Sequence, residues 1–124
     1  LHSVDYTLAW RRLADAADGN LQALEALFPV GDILADWLAR WHQRIAQQSA
    51  SDTAERMRSV NPIYIPRNHL VEEALDSASE GDLEPFEGLL AVLKTPFAER
   101  PALSRYATSA PKEFMDQYQT FCGT

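Results

Sequence analysis

The stretch Asp32-Ile33-Leu34-Ala35-Asp36-Trp37-Leu38-Ala39-Arg40-Trp41-His42-Gln43-Arg44-Ile45 decides the fold class. Ile33, Leu34, Trp37, Leu38, Trp41 and Ile45 recur at three- and four-residue steps, the spacing that gathers side chains on one face of an α-helix. Arg40 and Arg44 fall toward the C-terminal end, where the helix dipole favours cations. Upstream, Tyr6, Ala9, Trp10, Leu13 and Ala17 predict a helix over about 5–17, with Ser3 or Asp5 as its cap and Asp18-Gly19 as its stop. Asn20 is placed to cap a short second helix carrying Leu21, Leu24, Leu27 and Phe28, which Pro29 closes.

Downstream, Gln47 to Ser51 reads as a polar loop, and Asp52 as the head of a fourth short helix with Glu55 at the capping-box distance. Asn61-Pro62-Ile63-Tyr64-Ile65-Pro66 cannot be regular helix, because each proline pushes the residue before it toward extended geometry. Pro66 fits the first turn of a fifth helix running to Glu80. That helix would bury Leu70, Val71, Ala74, Leu75 and Ala78 and turn Glu72, Glu73, Asp76 and Glu80 to water. Gly81 ends it. Asp82 caps a sixth helix with Leu83, Phe86, Leu89, Leu90 and Leu93, in which Pro85 is tolerated in the first turn and which Pro96 stops. Beyond it, Pro101, Pro111 and small polar residues suggest a tail wrapping over the body, with one short helix at most. No stretch alternates as a strand should. The expectation is an all-α chain: residues 1–124 form one helical segment, an irregular bundle of about six short helices with an extended C-terminal tail.

Composition narrows the function. The 124 residues fit one domain at most, and 46% are hydrophobic, enough for a core. Eleven Lys and Arg against 18 Asp and Glu leave a net charge of −7. Nucleic acids and anionic membrane surfaces both need a basic face, which this balance does not supply. No apolar run approaches the roughly 20 residues that span a bilayer, and no signal-peptide pattern opens the chain. It begins at Leu1 and reads as a piece excised from a longer protein. Its single cysteine, Cys122, has no internal partner, so a reducing cytoplasm is the default location.

Candidate chemistry is sparse. His69 and Glu73 stand four residues apart on one helix face and could ligate one metal, but no second histidine accompanies them, so a structural histidine is the simpler reading. His2 and His42 stand alone. Seven carboxylates between Glu72 and Glu87, with no Lys or Arg among them, make a solvated helix face or an acidic docking surface. Trp10, Trp37 and Trp41 have the spacing of core anchors, with ligand-binding aromatics as the alternative. Arg67-Asn68, beside a proline-rigidified turn, is the candidate for contact with a neighbouring domain. Cys122 is the candidate redox residue, although no cation stands next to it to lower its pKa. No catalytic, cofactor-binding or metal-binding residue is assigned.

One stretch carries more than its chemistry. Val60-Asn61-Pro62-Ile63-Tyr64-Ile65-Pro66-Arg67-Asn68-His69-Leu70-Val71-Glu72-Glu73-Ala74-Leu75, followed by Ala78, Gly81-Asp82, Phe86, Leu89-Leu90, Leu93 and Pro96-Phe97, resembles the C-terminal region of the selenoprotein O (YdiU) family. The ending Tyr118-Gln119-Thr120-Phe121-Cys122-Gly123-Thr124 is similar to that family's cysteine-bearing terminus, and the upstream half fits the segment before it. The resemblance implies a parent protein with a kinase-like fold that binds ATP and Mg or Mn and transfers AMP to Ser, Thr or Tyr of protein substrates. Its catalytic and metal-binding residues belong to the kinase-like body, and none is carried over here. This segment, itself without cofactor, would pack on that body in a structural or regulatory role. Some members end in a Cys-x-x-Cys or Cys-x-x-selenocysteine pair. If Cys122 matches the second position, Gln119 fills the first, and switching within this segment is ruled out. The competing expectation is an independent helical module that binds a basic partner through the acidic face.

Overall fold

The computed structural model describes residues 4–29 and 32–119. They contain seven α-helices, one 3-10 helix and no strand, so the chain is all-α as its periodicity predicts. The calls on His2, Ser3 and Cys122 fall outside the described residues. The chain divides into two compact units, Leu1–Ile63 and Tyr64–Thr124.

In the first unit, α1 spans Tyr6–Ala17 and α2 Gln22–Glu25, while α3 covers Asp32–Ile45 and α4 Ala50–Val60. The Asp5 carboxylate caps α1 by accepting the Leu8 N–H at 2.9 Å. At the other end the N–H of Gly19 reaches the Ala16 carbonyl and that of Asn20 reaches the Asp15 carbonyl. This paired closure needs a left-handed residue between them, and Gly19 supplies it at φ 94°. The Asn20 backbone N–H thus helps to end α1, and Asn20 does not cap α2, whose cap position is Leu21 with no side-chain bond. The fourth helix likewise starts earlier than predicted. Ser49, in extended geometry, offers its hydroxyl to the Asp52 N–H, so Asp52 lies inside the first turn and not at the cap.

Leu13, Ala16, Leu24 and Leu38 form the buried centre of this unit, and Leu21, Phe28, Leu34, Trp41 and Met57 pack around it. Helices α1 and α4 make the most extensive helix pair. Besides Arg11 and Leu13, their buried positions are small, Ala14, Ala16 and Ala17 on one and Thr53 and Ala54 on the other.

The second unit holds α5 (Asn68–Ser79), α6 (Glu84–Leu93), the 3-10 helix (Pro101–Ala107) and α7 (Lys112–Gln117). Pro66 lies before α5, not within its first turn, because Arg67 is still extended at ψ 134°. The C-terminus of α5 repeats the closure of α1: Gly81 bonds to Ala78 and Asp82 to Ser77, with Gly81 at φ 93°. Asp82 then assists the next helix, its carboxylate accepting the Glu84 N–H at 3.0 Å, although Leu83 occupies the cap position. The stretch read as an extended tail is largely wound into the 3-10 helix and α7.

Leu70, Ala74 and Leu89 are the buried centre here, with Val71, Leu93 and Tyr106 packed against it. Leu75, expected inside, is exposed, and so are Leu83, Phe86 and Leu90 around α6. A ten-residue helix presents one contact face to its neighbour, and α6 carries more apolar residues than that face can bury.

Candidate functional site

An open apolar groove of the first unit lies along α1 and α3. Tyr6 and Trp10 are one turn apart on α1, and Ile33 and Trp37 are one turn apart on α3. With Val4, Leu24, Phe28, Pro29 and Leu34 they line a groove of about 670 Å³, and none of the described residues in its walls is charged. Tyr6 and Trp10 meet edge to face at 5.8 Å, while Trp37 stacks on Trp41 at 6.0 Å. The core-anchor reading of the tryptophans holds for Trp41 alone. Ile33 is 87% exposed, Tyr6 74%, Trp37 40% and Trp10 38%. Leu13, Leu24 and Leu38 of the three helices fill the core, and Tyr6, Trp10, Ile33 and Trp37 are left on the rim.

Beneath this groove the unit is fastened by arginines that periodicity does not single out. The buried Arg11 donates through Nη1 to the carbonyls of Arg58 and Asn61, at 2.9 and 3.1 Å, satisfying the C-terminal end of α4. Arg58 in turn pairs with Asp15 and Asp18, both at 2.9 Å. The Asp15 hydrogen bond first, and the Asp18 bond and both charges after it, outweigh partial burial and raise the Arg58 guanidinium above its ordinary value. His42 is held against the Ala16 carbonyl at 3.2 Å, which accounts for that histidine structurally.

In the second unit Arg67 is 9% exposed at the N-cap position of α5, while the adjacent Asn68 is exposed. His69 packs edge-on against Phe114 of α7 at 6.0 Å. Burial, and then the Arg67 charge, push the His69 imidazole below its ordinary value. Its proposed metal partner Glu73 is engaged elsewhere: Arg105 donates through Nη2 to both carboxylate oxygens, at 2.7 and 2.8 Å. That bond chiefly, together with the Glu73 charge, raises the Arg105 guanidinium. Among the described residues no three His, Cys, Asp or Glu side chains converge to hold a metal ion. Glu72 accepts a 3.3 Å hydrogen bond from the Tyr118 hydroxyl. Partial burial, followed by the Glu72 charge and this bond, raises the Tyr118 phenol. The acidic run from Glu72 to Glu87 is thus partly spent on contacts within its own unit, at Glu72, Glu73 and Asp82.

No helix among the described residues is long and apolar enough to cross a membrane. No protein-family model matches the chain. It is 55% identical over 99% of its length to a Chromobacterium violaceum protein named protein nucleotidyltransferase YdiU. Proteins of the same name from Cereibacter sphaeroides and Sphingopyxis alaskensis are 52% and 47% identical over 97% and 99% of the chain. The chain spans only about a quarter of these relatives, 24–26% of their length. The resemblance carried by Val60 to Phe97 is therefore borne out: across nearly its whole length this chain is similar to a quarter-length segment of the YdiU protein nucleotidyltransferase family.

Proposed function

We propose that this chain is the non-catalytic helical segment of a cytoplasmic protein adenylyltransferase. The parent transfers AMP from ATP, with Mg or Mn, to Ser, Thr or Tyr of its protein substrates. The observation that supports this reading is the 55% identity over 99% of the chain to a YdiU nucleotidyltransferase of which it covers only 26%. The nucleotide and metal sites are assigned to the remaining part, and the segment supports or regulates that part by packing on it. Cys122 is its candidate redox residue, through a disulfide with a cysteine outside the segment.

The test is AMP incorporation by the full-length parent from labelled ATP with Mg or Mn, compared with a form lacking residues 1–124. Labelling that weakens on truncation supports the reading. A parent that labels nothing under either metal refutes the transferase assignment, and labelling unchanged by truncation refutes the supporting role.

A further inference from the structure

We infer that the groove between α1 and α3 is the seat for an apolar helix from the part of the parent chain that lies outside these 124 residues. The inference rests on the reading above, and it names which face of the segment docks. Three observations carry it. The described residues that line it are all uncharged, and Ile33 and Tyr6 stand 87% and 74% exposed at the rim. Contiguous apolar surface of this kind marks an interaction site more often than a free surface. The two pairs Tyr6–Trp10 and Ile33–Trp37 each step one turn along their own helix, so each presents an apolar ridge on the groove. Between such ridges a third helix can lay residues spaced three and four apart, the helix-in-groove mode of recognition. Finally, relatives matched over 97–99% of this chain have about three times its length besides, since it covers 24–26% of them. A covalently attached occupant therefore has ample chain to come from, and its effective concentration at the groove far exceeds that of any free partner.

Small charged ligands are poorly served by this site. With no charged side chain among the described lining residues, a nucleotide or metal ion would be desolvated there without compensation. What remains is an apolar occupant, and the parent chain is the one to which we commit.

The experiment places the photoreactive amino acid benzoylphenylalanine at position 33 of the full-length parent and maps the cross-linked peptides by mass spectrometry. Ile33 projects outward and sits in the first turn of α3, so the probe disturbs no core contact. The expected result is an intramolecular cross-link, at monomer mass, to a peptide outside residues 1–124. Hydroxyl-radical labelling of Tyr6 and Trp37 in the same protein is expected to be suppressed to the level of the buried Leu13. An Ile33→Asp variant places a carboxylate in a first helical turn, where the dipole accepts it, so α3 itself survives. In the full-length protein that charge would be buried under the docked helix, and radical labelling of Tyr6 and Trp37 is expected to return.

Cross-links to residues 64–124, to a second copy at dimer mass or to another protein would each overturn the inference. So would no cross-link, or free radical labelling of both rings in the parent. None of these readouts needs activity. A parent that AMPylates while Ile33 finds no partner in its own remaining chain refutes the docking face alone. A parent that shows the cross-link but transfers no AMP refutes the transferase reading alone.

Discussion

The Tyr64 hydroxyl closes on the backbone of Arg100 from both sides, accepting its N–H at 2.8 Å and donating to its carbonyl at 3.2 Å. The Arg100 guanidinium then folds back over the Tyr64 ring, 5.2 Å from its centroid, and the Tyr64 N–H reaches the Pro96 carbonyl at 3.2 Å. Tyr64 is 2% exposed, so these bonds are made out of water's reach. One side chain at the head of the second unit thereby ties down the segment that follows α6.

Tyr64→Phe removes the hydroxyl and strands two polar backbone groups. The expected cost to the second unit is about 1–3 kcal/mol, the range for leaving a buried partner unsatisfied. Amide exchange read residue by residue checks it, with the Arg100 amide accelerating most. Unchanged protection at Arg100 would show that water replaces the hydroxyl at no cost.

Arg11→Met keeps the aliphatic stem and deletes the donors to the Arg58 and Asn61 carbonyls. We expect a loss of about 2–3 kcal/mol, because the charge-assisted bonds of a buried guanidinium to a helix end are replaced by nothing. Trp10, Trp37 and Trp41 all belong to the first unit, so the midpoint of denaturant unfolding followed by tryptophan fluorescence reports on that unit.

Stability of the second unit should depend on pH through His69. Its folded-state pKa lies below the ordinary 6.5, so the folded form holds the neutral imidazole. The unfolded chain takes up the proton first as pH falls, so the contribution is complete above about pH 6.5 and is lost as pH falls toward the folded value. Unfolding midpoints at pH 7.5 and 5.0 should therefore differ less in His69→Gln than in the unaltered chain. A direct check is the His69 ring proton in an NMR titration, whose midpoint should lie below 6.5.

Breaking the Arg105–Glu73 pair should be mild. Both side chains are about half exposed, 52% and 50%, so solvent screens them. Glu73→Gln is expected to cost less than about 1 kcal/mol, and the difference from the unaltered chain should shrink as salt is raised. A loss of several kcal/mol, insensitive to salt, would mean that the carboxylate does more than pair with Arg105.

Much of the local structure was legible residue by residue. Asp5 caps α1, and Gly19 and Gly81 end α1 and α5, because capping and left-handed closure depend on the identity of one residue and its immediate neighbours. The helix spacing of Ile33 to Ile45 specified α3 in the same way. The family resemblance was also legible, since Pro62, Pro66, Arg67-Asn68 and Gly81-Asp82 are fixed landmarks in the chain itself. Local rules failed at two caps: the cap position of α2 is Leu21 and not Asn20, and Ser49, three residues before Asp52, is the cap of α4.

Tertiary structure alone decided which apolar residues are interior. Periodicity places Tyr6, Trp10, Leu13, Ile33, Trp37 and Leu38 on similar helical stripes, yet Leu13 and Leu38 are buried while the other four line an open groove. Nor could spacing pair Arg11 with the end of α4, 47 and 50 residues away, or Glu73 with Arg105, 32 residues on. A sequence sets which face of a helix is apolar, through interactions three or four residues apart. How much of that face a neighbouring helix covers depends on packing distance and crossing geometry, which belong to the assembled unit and to no single helix.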